Sequence, residues 1–286
     1  MELRVRNRKT NELTIIKEDK TTLFFYDTLI GRIILKFIIR GWLSKLVGIY
    51  MNSSWSSLRI NKFIHQNNIN MKDYKKERWK SFNDFFIRRL RHKKIDMKPS
   101  SFIAPCDGKL SVYKINKESL FKIKDSYYSV NDLVNQDISK EYINGYCLIF
   151  RLCVDDYHRF HYLDDGIKTM NKYIKGELHT VRPIALKKYN IYKRNAREWT
   201  RLHTKNFGDI IQIEVGALMV GKIVNHHQEY EFKRGEEKGY FIFGGSTVVL
   251  LVKENQVVID RDILENSKED IETTVKLGEK IGGKKT

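Results

Sequence analysis

The chain has 286 residues, 41% of them apolar and 12% aromatic, which is enough to bury a substantial core and excludes a disordered tail. With 53 Lys and Arg against 35 Asp and Glu, the formal charge is +18, so the surface should attract phosphates on nucleic acid or on anionic lipid. The three cysteines, Cys106, Cys147 and Cys153, form no C-x-x-C pair, which argues against a disulfide framework or a cysteine-based zinc site and favours a reducing compartment.

The first 20 residues are charged throughout and lack the apolar stretch of a cleavable signal peptide, so export by that route is not expected. Residues 23–50 are strongly apolar but interrupted by Arg32, Lys36, Arg40 and Lys45. On a helix these cations form one stripe, and a cation at every turn rules out a spanning helix. The segment suits a helix lying in a membrane interface, with Phe24, Phe25, Ile33, Phe37 and Trp42 toward acyl chains, or one packed on its own protein. The overall charge favours the membrane. A second helix is expected over residues 79–94, capped by Ser81, with Phe82, Phe85, Phe86 and Leu90 on its apolar face and a basic exit through Arg88, Arg89, Arg91, Lys93 and Lys94.

From about Pro99 the texture changes to strand-like runs: "GKLSVYKI", "YCLIFRLCV", "DIIQIEVGALMVGKIV", "YFIFGGSTVVLLV" and "QVVIDRDI". The lysine-rich end, "KLGEKIGGKK", reads as frayed. The expected class is therefore α+β: a helical, basic, membrane-docking region over residues 1–98, then a mostly β catalytic domain over 99–286 built of antiparallel sheets as a sandwich or barrel.

Four clusters carry potential chemistry. In "YFIFGGSTVVLLV", Gly244 and Gly245 suit a hairpin turn, the plain reading of a Gly-Gly-Ser string. Asp107 of "APCDGKL" precedes Gly108 at a turn into a strand. "DDYHRFH" packs Asp155, Asp156, His158 and His161 into seven residues; the histidines share a face if helical and oppose each other if extended, and with the carboxylates they suit catalysis, a metal or plain structure. In "VGALMVGKI", Gly216 and Gly221 mark a bulge or a close backbone approach. The "NHHQ" pair, His226 and His227, reads as a polar loop. A cysteine hydrolase using Cys106 with Asp107 and His161 is improbable, because adjacent residues on a strand point to opposite faces.

Taken in order, "SFNDFF", "APCDG", "DYHRFH", "HTVRPIA", "VGALMVGKI" and "RGEEKGYFIFGGST" resemble the phosphatidylserine decarboxylases, pyruvoyl-dependent enzymes of the membrane surface. Each string is weak alone; their order and spacing over most of the chain are specific. The resemblance implies self-cleavage between Gly245 and Ser246, giving a large chain (1–245) and a small chain (246–286). A serine that attacks the carbonyl before it needs a small preceding residue tolerant of strain, which glycine is, and a base. The resemblance makes that base His161, oriented by Asp107, turns Ser246 into the pyruvoyl cofactor, and assigns His158 to the later decarboxylation. The pyruvoyl ketone would form a Schiff base with the substrate amine and serve as electron sink, so neither pyridoxal phosphate nor metal is expected. Phosphatidylserine and an anionic membrane surface are the implied partners, without nucleic acid; a homodimer is allowed, and the implied location is peripheral, on the cytoplasmic face of the cell membrane. Two positions depart from the family pattern: Arg182, where asparagine is usual, and "NARE" (195–198). The alternatives are a pyruvoyl decarboxylase of a soluble amino acid and a non-catalytic basic membrane binder.

Overall fold

A computed structural model of the chain describes residues 2–17, 20–39, 42–118, 120–123, 126–180, 184–185, 189–217, 222–244 and 246–285. Its first strands are β1 (Glu2–Asn7) and β2 (Leu13–Lys17). Helices α1 (Lys20–Asp27), α2 (Leu29–Ile38), α3 (Trp42–Asn52), α4 (Ile60–Gln66) and α5 (Phe82–Phe86) follow. Next come β3 (Ser101–Ile103), β4 (Gly108–Lys114), β5 (Leu120–Ile123), β6 (Ser126–Ser129), α6 (Val130–Val134) and β7 (Tyr146–Leu152). Then come β8 (Arg159–His161), β9 (Gly166–Lys168), β10 (Lys172–Ile174), α7 (Ile191–Arg194), β11 (Arg197–Thr204) and β12 (Gly208–Gly216). The chain ends with β13 (Ile223–Asn225), β14 (Tyr230–Phe232), β15 (Glu237–Phe241), β16 (Ser246–Val252), β17 (Val257–Ile259), α8 (Arg261–Lys268), β18 (Ile271–Val275) and β19 (Lys280–Lys284).

The protein is α+β and mostly sheet. Among the described residues the main sheet runs β14-β9-β11-β12-β16-β7-β4-β18-β1-β2, with β10 beside β11. Every residue of β16 is buried, as is nearly all of β7 and most of β12. Strands covered on both faces have no solvated face to alternate with, which explains the apolar runs of residues 147–150 in β7 and 248–252 in β16, while Arg151, Gln212 and Glu214 are buried polar residues within β7 and β12. A smaller sheet, β13-β15-β8, carries the histidine segment, and a third, β17-β19-β3, joins the C-terminus to residues 101–103.

The structure corrects several expectations. The main sheet ends in β2 and β14 and does not close into a barrel. It is antiparallel except where β1 lies parallel to β18, so residues 2–17, expected with the helical region, belong to the sheet. The C-terminal run is an ordered strand between β17 and β3, not a frayed end: Ile281 is buried, and glycines 282 and 283 lie against Ile259 and Ser101. "QVVIDRDI" is only half strand, because β17 ends at Ile259 and helix α8 begins at Arg261.

The 23–50 segment is broken into α1, α2 and α3. The Thr28 side chain accepts from the Gly31 N–H and starts α2 afresh, and Gly31 lets α2 approach the Phe24 carbonyl, which a Cβ would strike at 1.9 Å. Tyr26, Leu35 and Ile39 enter the main core, whereas Leu29, Ile30, Ile33 and Phe37 remain exposed. Ser81 caps α5 as expected by accepting from the Asp84 N–H, but the helix stops at Phe86 and Arg88 turns inward. Met51, Ile60, Phe82, Phe85 and Phe86 form a core of their own, against which Phe243 packs.

Candidate active site

The "FGGST" string does not form a hairpin. Strand β15 pairs with β13 and β8, whereas β16 pairs with β12 and β7, so residues 242–245 carry the chain from one sheet to another. Gly244 has φ 139°, a conformation that L side chains rarely adopt. Gly245, half of the expected scissile bond, lies outside the described residues, as do Arg40, Arg182 and Gly221. On the N-terminal side, Phe243 is gripped by the helical core: its N–H donates to Asn83 Oδ1 at 3.1 Å, and its ring meets Phe82 and Phe86 edge-on at 5.1 and 5.2 Å.

Strand register defines the site. Ser246 lies opposite Gly216 on one side and Leu152 on the other. Lys109 lies opposite Arg151 and Gly108 opposite Val275, so Ser246, Leu152, Gly108 and Val275 form one row across the end of the sheet. Asp107 and Lys276 sit one residue beyond that row. Two strand spacings, about 10 Å, separate the backbone of β16 from that of β4.

The histidine segment closes over this end. The His161 N–H donates to the Pro105 carbonyl at 2.8 Å, and the Phe241 N–H donates to the His158 carbonyl at 3.0 Å. Residues 159–161 are extended, and the two rings enter different surroundings. The His158 ring packs on Phe86 at 4.1 Å; the His161 ring stacks on Tyr157 at 6.1 Å.

Ser246, His158 and His161 are fully buried. Among the described residues, Ser246 Oγ, His158 Nε2 and both ring nitrogens of His161 have no hydrogen-bond partner. His158 Nδ1 is bonded to the Asp156 carbonyl at 2.9 Å. A carbonyl only accepts, so Nδ1 holds the proton and the Nε2 lone pair is open. Burial pushes His158 down to about 3, with Arg88 and Lys109 assisting and Asp156 opposing. Burial also holds His161 well below its ordinary value, aided by Lys93, Arg159 and His226. Both rings are therefore neutral near pH 7 and able to accept a proton.

Asp107 is not bonded to His161. Its Oδ2 accepts from Lys276 Nζ at 2.7 Å and its Oδ1 from the Leu277 N–H at 2.9 Å. Asp156 receives both Oδ contacts from Lys109 at 3.1 Å and one from the Cys153 N–H at 2.8 Å. Burial raises the cost of ionising Asp156, but Lys109 and Lys276 outweigh it and hold the carboxyl below its ordinary value. Lys109 and Lys276 escaped the sequence reading. Lys276 follows the end of β18, and only the pairing of β18 with β4 brings it to Asp107.

The described residues that come together as prospective metal ligands are Cys153, Asp155 and Asp156; neither His158 nor His161 joins them, and Asp156 is already engaged by Lys109. Cys106 is buried, and burial pushes its thiol well above the ordinary value, as far from a nucleophile as a cysteine can be.

Residues 82–283 match the family model described as phosphatidylserine decarboxylase. The chain belongs to this family. It is 48% identical over 99% of both chains to phosphatidylserine decarboxylase proenzyme 2 of Clostridium acetobutylicum. It is 44% identical to the phosphatidylserine decarboxylase proenzyme of Clostridium kluyveri, over 96% of this chain and 97% of that one. It is 42% identical to that of Clostridium botulinum strain 657, over 98% of each. The family match begins at α5, within the segment that grips Phe243 and packs on His158, while these relatives extend the likeness through the N-terminal helices.

Proposed function

We propose that this chain is a proenzyme that cuts itself at Gly245-Ser246 and then decarboxylates phosphatidylserine to phosphatidylethanolamine. The observation that carries the reading is Ser246: a fully buried hydroxyl without a hydrogen-bond partner among the described residues, at the head of a central strand, two residues after a glycine in a conformation closed to most side chains. A buried hydroxyl left without a partner costs stability, and catalytic use accounts for it.

In the cleavage step, Ser246 Oγ attacks the Gly245 carbonyl carbon and gives its proton to His161, whose ring is neutral and has both nitrogens open. His161 returns that proton to the Ser246 nitrogen as the C–N bond breaks, and the amide becomes an ester through Oγ with a free amine at Ser246. Removal of the Ser246 α-proton then expels the Gly245 carboxylate. Water replaces nitrogen at the new terminus, ammonia leaves, and the small chain begins with a pyruvoyl group. Asp107 is held by Lys276 and the Leu277 N–H in the uncut chain, and in this reading it orients His161 only once it leaves Lys276. The pyruvoyl group formed from Ser246 would supply an electron sink for the pair left when carbon dioxide departs from the substrate. His158, with Nε2 open and Nδ1 fixed, takes up at Nε2 a proton released as the substrate amine is bound and delivers it to the carbanion that carbon dioxide leaves behind, or positions the substrate carboxylate. No added metal or pyridoxal phosphate is part of this reading.

We place the protein peripherally on the cytoplasmic face of the cell membrane, with helices α2 and α3 of the 1–98 region docking, and with residues 99–286, joined by β1, β2 and the α5 segment, forming the catalytic body. Exposed Leu29, Ile30, Ile33 and Phe37 of α2, Leu46 and Ile49 of α3, and Trp55 and Leu58 support this, beside Arg32 and Lys36. No described helix is long and apolar enough to cross a membrane. The test is incubation with phosphatidylserine vesicles. Phosphatidylethanolamine and carbon dioxide should appear in equal amounts with the wild type and not with Ser246→Ala; an active Ser246→Ala protein would refute the reading.

A further inference from the structure

Arg88 lies in the basic exit expected to be solvated, yet only 1% of it is exposed. Its guanidinium rests over the rings of Tyr74 and Phe85, at 4.5 and 5.0 Å, and forms no ion pair among the described residues. Only Nη2 is used: it donates to the Asp155 carbonyl at 2.8 Å, the Asp156 carbonyl at 3.2 Å and Tyr74 Oη at 3.4 Å. Nε and Nη1 have no hydrogen-bond partner among the described residues. A buried cation without a counter-charge and with unused donors is a costly way to anchor a loop.

The carbonyl it holds is the one that matters for His158. The Asp156 carbonyl accepts from both Arg88 Nη2 and His158 Nδ1, and Phe86, two residues before Arg88, packs on the same imidazole. A hydrogen bond from a charged donor is roughly twice as strong as a neutral one and fixes the direction of the carbonyl. We infer that Arg88 is a positioning residue: by clamping the Asp156 carbonyl it holds the His158 ring in the tautomer that leaves Nε2 open. This rests on the reading of His158 as the proton-transfer group. The charged groups facing the ring are the Asp156 carboxylate, which favours its protonation, and Arg88 and Lys109, which oppose it. Removing Arg88 should therefore loosen the tautomer and let the ring protonate at higher pH.

The experiment uses the full chain labelled with 15N-histidine, as wild type, Arg88→Met, Arg88→Lys and Arg88→Gln, with thermal melting to establish folding. In the wild type His158 should show the neutral Nδ1–H signature from pH 5 to 8. Arg88→Met should show mixed tautomers, an acidic limb of the decarboxylation profile moved to higher pH, and turnover on phosphatidylserine vesicles lowered by about 10- to 100-fold with KM little changed. Arg88→Lys should restore the tautomer and most of the rate. A folded Arg88→Met protein with the wild-type tautomer and pH profile would overturn the inference. Should Arg88→Met not fold, Arg88→Gln decides, since it keeps a donor without the charge: the tautomer should persist while the acidic limb moves, and an unmoved limb contradicts the role. A wild type that fails to decarboxylate phosphatidylserine overturns the functional reading and leaves the tautomer measurement to stand on its own.

Discussion

Ser246 and the two histidines are buried polar groups that the fold leaves open, and each has a distinct expected phenotype. Ser246→Ala and His161→Ala should both remain uncut, visible as one band on a denaturing gel; normal processing of His161→Ala would require another base. His158→Ala should still be cut but lose about a hundredfold or more in decarboxylation, because a placed proton-transfer group is commonly worth that much. Full activity in His158→Ala would remove it from the mechanism. The motif residues were legible from chemistry and spacing, and register places Ser246 and Asp107 at one end of the sheet. Their partners were not legible. Asp107 is held by Lys276 and Leu277 from nearly the far end of the sequence, and nothing local to "CDG" or "KLGE" announces a contact that only the β4–β18 pairing creates.

At the level of elements, helix α5 and the exposed face of α2 make separate contributions. The α5 segment holds Phe243 through Asn83, Phe82 and Phe86, just ahead of the proposed scissile bond. Asn83→Ala should slow self-cleavage in a time course while leaving the fold intact; an unchanged rate would show that the grip on Phe243 is only packing. On α2, Arg32→Glu with Lys36→Glu should weaken sedimentation with anionic vesicles, since each cation near such a surface contributes about 1 kcal/mol, screened by salt. Self-cleavage should be unaffected. If that variant sediments normally, the contact with membrane lies on another surface. The long strands were readable because β4 alternates and β7 and β16 carry apolar runs at residues 147–150 and 248–252. Strand β19 was not, because "KIGGK" has one apolar residue and two glycines and owes its order to strands distant in sequence. The breaks at Thr28 and after Phe86 depend on a cap and on an arginine turned inward, neither of which the hydrophobic pattern records.

Over the whole molecule, buried neutral histidines link stability to pH. His158 is pushed down to about 3 and His161 well below its ordinary value, so unfolding at mildly acidic pH takes up protons. Their contribution is intact above the unfolded value near 6.5 and is lost as pH falls toward the folded values, by about 1.4 kcal/mol per pH unit for each ring. The melting temperature should therefore drop between pH 7 and pH 5, and less steeply in His158→Gln; an identical slope would contradict the burial argument. The proposed cut divides the sheets without dissolving them, because β16 lies between β12 and β7, and β18 between β4 and β1. Both chains should co-elute until denatured. The measurement that bears most directly on the account is the intact mass of the purified, active protein under denaturing conditions. It should show two species, residues 1–245 with a free carboxylate and residues 246–286 beginning with a pyruvoyl group, their sum equal to the precursor plus water less ammonia. An active protein found as a single uncut chain with Ser246 intact would contradict it.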